Sequence, residues 1–457
     1  MRNSLAAIRT PALLRLLFVF VLSGSMLIGG DWTTPELMGV QPALADDDDD
    51  DDDDDDGVGN VIRMFRGQFA PRLPRPQRRS PQRRAQVPAP PPPTRAPDEI
   101  VGLGFTAAQL DQMTASGFEV LERSPIASAD TEVIKLRIPS GITLEAAREQ
   151  AVATAPQAVL DFNHYYRPEQ GAEQPCLTDD CLARVLVGWP AGQEAPGACT
   201  GTVHVGLVDT AINAEHSAFE GAEVEVIRLV DEKLPESGKQ HGTAVAALLV
   251  GAPESRTPGL VPGARLIALD TFHKARRNDE RAEAYNLVRA LDLLVERQVH
   301  VINMSLSGPD NELLEQAVGR VAERGIIMVA AAGNEGPRSE PVYPAAYEEV
   351  VAVTAIDRRK RPYRRAGRGE HIDFAAPGVA VWTAASISGK RTKTGTSFAA
   401  PFVTAAAALM KTANPDLTTE QIRERLTRSV EDLGDPGKDP VFGWGLLNAR
   451  AICGATP

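Results

Sequence analysis

Cysteine is scarce. The 457 residues include four, Cys176, Cys181, Cys199 and Cys453. So few cannot staple a chain of this length into a disulfide scaffold, although an exported chain can still pair them. Three pairings are open. Cys176–Cys181 with Cys199–Cys453 is the favoured one, against four free thiols. No second close Cys or His pair accompanies Cys176 and Cys181, which argues against zinc. Aromatic residues are also few, 5% against 43% hydrophobic overall. Any core is therefore built from Ala, Val, Ile and Leu. A basic excess is missing too. The net charge is −13, and one run of eleven acids, Asp46–Asp56, supplies most of it. The remainder is nearly balanced, which removes the electrostatic case for nucleic-acid binding. The length allows two or three domains.

Acid is absent from residues 1–30, which carry Arg2, Arg9 and Arg15 ahead of the apolar stretch Leu16–Leu22 and Met26–Ile28. That order predicts an export signal, with periplasmic or extracellular delivery. Ala43-Leu44-Ala45 offers a cleavage site just before the Asp run. Its distance from the apolar stretch is long for such a site. An uncleaved anchor, with membrane contact through residues 16–30, therefore stays open. The Asp run has nothing apolar to bury and reads as a solvated spacer. Residues 57–97 hold nine Arg, no acid and a Pro-rich end, Pro88–Pro93. They read as an extended tether.

Periodicity returns at residue 98. Strand patterns at 99–103, 118–122, 132–138 and 158–162 alternate with helical ones at 106–116 and 143–154. The order β-α-β-β-α-β is that of a small α+β ferredoxin-like domain over 98–168. After a junction, 169–201, short apolar strands at 203–208, 265–269, 299–304 and 325–330 alternate with helical patterns such as 283–297 and 312–324. This predicts an α/β domain over 202–457, with a mostly parallel sheet covered on both faces. Sites in such sheets lie beyond the carboxyl ends of the strands.

Three motifs meet that condition. Asp209 follows the strand at 203–208, His241 opens a helix in His-Gly-Thr-Ala, and Ser397 opens another in Gly395-Thr396-Ser397-Phe398-Ala399-Ala400-Pro401. A serine hydroxyl needs a base to take its proton, and the base needs an acid to fix its tautomer. The developing oxyanion needs donors. Asn334, in Gly333-Asn334-Glu335-Gly336, and the backbone N–H of Ser397 can supply them.

Together these blocks, with the closing Phe442-Gly443-Trp444-Gly445-Leu446-Leu447-Asn448-Ala449, closely resemble the subtilisin-like serine peptidases over about residues 202–453. Each block alone is weak; in this order they are specific. The resemblance implies a three-layer α/β/α domain and peptide-bond hydrolysis through an acyl-enzyme, with protein or peptide substrates. It implies that 98–168 is a prodomain, chaperone and inhibitor of the same chain. It assigns Ser305, Leu306, Ser307 and Gly308 to pairing with the substrate backbone. Ala331, Ala332 and Gly333 form the opposite wall. Val342 shortens the pocket in favour of small side chains, beside a Tyr343–Pro344 bond that is often cis in such proteins. No cofactor is required for the chemistry. Calcium sites are common in the family, but spacing locates none here. Ala211, Ala244 and Phe402 depart from the usual pattern and are expected at the edge of the cleft. The histidines other than His241 read as structural or exposed. Self-cleavage between Tyr165 and Cys176 is expected to release the prodomain. The rival readings are a catalytically silent scaffold of the same fold, an anchored structural protein and an esterase.

Overall fold

The computed structural model describes residues 92–168, 182–189, 202–277 and 279–452. The signal or anchor, the Asp run, most of the Arg/Pro tether and all four cysteines lie outside them. The first strand begins at Arg95, inside the stretch read as tether. Arg95 stacks on Phe162 and pairs with Glu145, so it belongs to the folded unit.

The N-terminal unit runs β1 (Arg95–Leu103), α1 (Ala107–Ala115), β2 (Glu119–Ile126), β3 (Thr131–Arg137), α2 (Leu144–Thr154) and β4 (Val159–Pro168). Thr106 caps α1 through a reciprocal bond pair with Gln109, and Thr143 caps α2. Both satisfy N–H groups that a helix start leaves open. The antiparallel order is β2-β3-β1-β4. Ile100, Met113, Phe118, Leu136, Ala147 and Leu160 form its own small core.

A short helix, α3 (Leu182–Leu186), leads to Trp189, whose indole N–H donates to the Leu260 carbonyl. Then come β5 (His204–Asp209), β6 (Val224–Arg228), α4 (Gln240–Val250), β7 (Arg265–Asp270), β8 (Phe272–Arg276), β9 (Asp279–Glu283) and α5 (Ala284–Glu296). β10 (Val301–Met304), β11 (Leu306–Ser307), α6 (Glu312–Glu323), β12 (Ile327–Ala331), β13 (Val350–Ile356) and β14 (Ile372–Pro377) follow. β15 (Val381–Ala384), β16 (Lys390–Lys393), α7 (Ala400–Ala413) and α8 (Thr419–Thr427) complete the described chain.

Seven of these strands form a parallel sheet in the order β14-β13-β12-β10-β5-β7-β6. Every residue of β10, β12 and β13 is buried. Such continuous apolar strands are what a sheet covered on both faces requires. α4 and α7 pack on one face; α5 and α6 pack together on the other, giving three layers. The two pairs differ in composition. α4 is buried almost all round, whereas α5 and α6 bury one stripe, with Leu287, Leu291 and Leu294 or Leu314, Val318 and Val321 inward. Burying each such Leu fully contributes about 1.5–3 kcal/mol.

The last residues of β4 leave their own unit. Tyr165 and Tyr166 pair with Glu283 and Ala282 of β9, and Arg167 and Pro168 with Ser307 and Leu306 of β11, all antiparallel. One strand thus belongs to two bodies. Other contacts join them. The Asp161 carboxylate accepts from the Glu312 N–H at the start of α6, and Asp292 accepts from Ala127 and Ser128. Lys135 pairs with Glu283 at 2.6 Å. Among the described residues no helix is long and apolar enough to cross a membrane.

Candidate active site

Asp209 is the last residue of β5, at the carboxyl edge of the sheet. Its Oδ1 accepts from the Thr210 N–H at 2.7 Å and lies 2.7 Å from Nδ1 of His241. A carboxylate acceptor fixes the proton on Nδ1 and leaves Nε2 as the basic nitrogen. Asp209 and His241 are 2% and 1% exposed, so water does not compete for this contact. The helix that carries His241 must come very close to the strand that carries Asp209. A side-chain carbon on Gly242 would stand 2.4 Å from the Thr210 carbonyl oxygen. The Gly242 N–H instead donates to Thr210 Oγ1 at 2.9 Å. The glycine is what permits the 2.7 Å contact.

Ser397 sits in a 3-10 turn, Thr396–Phe398, rather than on the helix itself. α7 begins only at Ala400, with Pro401 in its first turn, where the missing N–H is tolerated. The neighbouring Phe398 ring packs 5.5 Å from the His241 ring, centroid to centroid. Ser397 Oγ lies 3.2 Å from the Ser305 carbonyl. A buried polar chain holds this turn in place. Thr404 on α7 donates to Asn303 Oδ1 at 2.8 Å, Asn303 Nδ2 donates to Ser305 Oγ at 2.9 Å, and Ser305 Oγ donates to the Ser397 carbonyl at 2.9 Å.

Asn334 follows β12. Its Oδ1 accepts from the Thr396 N–H at 3.1 Å and from the Thr396 hydroxyl at 3.3 Å. That fixes which way the amide points. Its Nδ2, though buried, has no partner. An orphaned amide donor costs about 1–3 kcal/mol, and buried unpaired groups of this kind call for an explanation. Here the donor is ready for an oxygen that develops charge during a reaction. Thr396 links Asn334 directly to the Ser397 turn. The four sequence-derived positions Asp209, His241, Asn334 and Ser397 therefore come from the ends of β5, α4, β12 and the turn before α7 into one buried cluster.

The expected substrate-binding residues divide. Leu306 and Ser307 pair with β4, while Ser305 is turned to Ser397. Gly308 does not pair with β4. It exchanges two 2.9 Å backbone bonds with Tyr343 instead. The Tyr166 ring occupies the space where a Gly308 side chain would be, 2.4 Å from that position. Ala331 ends β12, and the Ala332 N–H donates to the Val353 carbonyl at 3.0 Å. Gly333 faces Val342, one of whose methyls is 2.8 Å from where a side chain on Gly333 would start. The Tyr343–Pro344 bond is cis.

Two of the three departures from the usual pattern are not at the cleft edge. Ala244 and Phe402 are wholly buried among core side chains of α4 and α7. The Ala211 N–H donates to Ser237 Oγ, which in turn donates to Asp270. The remaining histidines serve local structure where contacts are seen. His216 Nδ1 accepts from the Ala218 N–H, His300 Nδ1 from His204, and His164 lies 3.0 Å from Asn311 Nδ2. Among the described residues no cluster of three or more His, Cys, Asp or Glu could hold a metal ion.

Sequence reasoning missed Asn303, Thr404, Asp279 and Glu283. A signal existed for the first two. Asn303 interrupts the apolar run Val301–Met304, and Thr404 stands in an alanine-rich helix. Buried polar residues in such runs need partners.

Comparison with known proteins agrees with this geometry. A model of the subtilase family, peptidase class S8, matches residues 200–445. The chain is 33% identical over 267 residues to subtilisin DY of Bacillus licheniformis, covering 56% of this chain and 93% of that one. It is 29% identical over 271 residues to the minor extracellular protease Epr of Bacillus subtilis, 59% of this chain but only 40% of that relative. Among solved structures, fervidolysin from Fervidobacterium pennivorans, described as a keratinolytic enzyme related to subtilisin, matches with a TM-score of 0.65 at 21% identity. That match covers 79% of this chain and 62% of fervidolysin. At that identity the likeness is one of fold.

Proposed function

The chain belongs to the subtilase family, and from that premise we propose that it is an exported serine endopeptidase made as a self-inhibited zymogen. In this reading Ser397 Oγ attacks the substrate carbonyl while His241 Nε2 takes its proton. Asp209 holds the imidazole tautomer and stabilises the imidazolium. Asn334 Nδ2 and the Ser397 N–H receive the oxyanion. The acyl group then rests on Ser397 until water, activated by the same His241, releases it. No metal or organic cofactor takes part in these steps.

The observation that carries the reading is the unpartnered Nδ2 of Asn334, held in place through Thr396 beside the nucleophile. What sets this donor apart from other buried unpaired atoms is its tie through Thr396 to the Ser397 turn. Residues 95–168 act as the prodomain, a ferredoxin-like α+β unit. Its last strand lies in the cleft between β9 and β11, where a substrate strand would add by edge pairing. Cleavage after that strand, between Tyr165 and Cys176, frees the enzyme.

A fluorophosphonate reagent tests this directly. Wild-type protein is expected to be labelled on Ser397 and to lose its N-terminal unit on incubation. Ser397→Ala is expected to remain unlabelled and full-length. Processing of the variant at the wild-type rate would sink the self-cleavage step, and failure of the reagent to label wild type would sink the peptidase reading.

A further inference from the structure

Asp279 opens β9 at the rim of the cleft and is only 8% exposed. Its Oδ1 accepts from both Nε and Nη2 of Arg167, at 3.3 and 3.2 Å. Its Oδ2 lies 3.7 Å from Nη1 of Arg281. The Arg281 guanidinium stacks 3.9 Å over the Tyr165 ring, which leaves with the same segment, so Arg281 stays behind as the weaker, more distant cation. Arg167, the principal cation on this carboxylate, therefore belongs to the segment that leaves with the N-terminal unit.

The strand geometry says what replaces it. Successive side chains of an extended strand point to opposite sides. Tyr166 points into the body, where its hydroxyl donates to the Pro309 carbonyl at 3.0 Å. Arg167 points the other way, to Asp279. Arg167 is the residue opposite Ser307. Ser305, whose hydroxyl holds the Ser397 carbonyl, lies two residues back along the same edge. Ser397 Oγ itself lies 3.2 Å from the Ser305 carbonyl, so a substrate strand in this register offers for attack the carbonyl of the residue that faces Ser305. The residue two places before that one faces Asp279.

We propose that Asp279 is a specificity determinant, selecting substrates with arginine at the residue opposite Ser307, two places before the residue whose carbonyl is attacked. The inference rests on the peptidase reading above and adds a substrate class to it. Arg167 covers this carboxylate and bonds it twice, and a substrate guanidinium in the same place restores both bonds, because charge-assisted bonds are about twice as strong as neutral ones. The same carboxylate repels an acidic residue at that position. Asp279 acts by binding, so it shows in kcat/KM and not in the capacity of Ser397 to be acylated.

The test uses full-length protein that has been allowed to process, with active molecules counted by fluorophosphonate titration. Internally quenched peptides carry the sequence of residues 163–172, with Arg, Leu or Glu at the place of Arg167. Wild type is expected to prefer the Arg peptide over the Glu peptide by about tenfold or more in kcat/KM. Asp279→Asn is expected to flatten the series, and Asp279→Arg to favour the Glu peptide. The titration separates a folding defect from a change in preference, and Asp279→Asn stands alone if Asp279→Arg does not fold. Labelled, active wild type that is indifferent to the Arg position overturns the inference alone, as does a preference that survives Asp279→Asn. Absence of both labelling and hydrolysis overturns it together with the peptidase reading.

Discussion

The amide of Asn334 shows how one side chain can be committed at one end and idle at the other. Its oxygen is fastened to Thr396 and its nitrogen is buried without a partner. Replacing it with alanine removes the idle donor and loosens the tie to the Ser397 turn. Asn334→Ala is therefore expected to lower kcat by about 10²–10³ with little change in KM, the scale known for such a donor in subtilisin. Steady-state kinetics on a peptide anilide measure it, and a loss confined to KM would contradict the assigned role. At this scale the residues proposed to react are legible in the sequence, because Asp209, His241, Asn334 and Ser397 each stand in a short block with its own neighbours. Asn303, Thr404 and Asp279 are not. Each gains meaning only from a partner far along the chain, and no local pattern marks Arg167 as the partner of Asp279.

Among the elements, α7 is tied to the Ser397 turn by more than chain continuity. The chain from Thr404 through Asn303 and Ser305 ties the body of the helix to the turn ahead of it. Thr404→Val keeps the shape but leaves Asn303 Oδ1 without this donor, a cost of about 1–3 kcal/mol. Chemical denaturation should show that loss, and kcat should fall as the Ser397 turn gains freedom. Most element positions were readable from periodicity. Four of the seven parallel strands, β5, β7, β10 and β12, and the helices at 284–296 and 312–323 lie within one to two residues of expectation, while β6, β13 and β14 carry no expectation. Two further elements depart from the expected bounds. Ala-rich sequence continues through the Ser397 turn and predicts helix where a 3-10 turn stands, and the strand pattern that ends at 162 continues in the structure to Pro168. The residues Tyr165–Pro168 carry no alternating pattern of their own. They are extended because β9 and β11, more than one hundred residues later, bond to both of their edges.

For the whole molecule, the union of the two bodies is electrostatic as well as strand-to-strand. Burial alone would lower the Lys135 ammonium's pKa, but Glu283 carries it above its ordinary range. Burial alone would raise the Glu283 carboxyl, but Lys135 and Asn163 bring it below its ordinary range. Lys135→Met leaves Glu283 buried without that cation, which is expected to weaken docking by about 3–5 kcal/mol. In the uncut Ser397→Ala background, earlier melting of the N-terminal unit in denaturant measures it. Acid should act as well. Burial holds the His164 imidazole below its ordinary range, opposed by Asp161 and Asp310 and assisted by Arg95 and Arg148. Where neutral, its Nδ1 accepts from Asn311 Nδ2. The released segment takes up a proton more readily than the docked one. Docking is therefore at full strength above about pH 6.5 and weakens as pH falls below it, with a further loss in the carboxylate range as Glu283 protonates. Hydrogen exchange at the Tyr165 and Tyr166 amides, corrected for intrinsic rate, should be faster at pH 5.5 than at 7.5. His164→Gln should reduce the difference.

The strand shared by two bodies has one more consequence, for self-association. While β4 is in place, β9 and β11 have no bare edge between them. Once it leaves, each presents a row of backbone donors and acceptors, the template on which folded proteins stick to one another. β9 carries Asp279, Glu280 and Glu283 along that row. A second copy offering its own β9 sets three carboxylates against three, with one Arg281 on each strand. In the proposed zymogen, this acidic excess on β9 is expected to disfavour edge-to-edge pairing of opened copies.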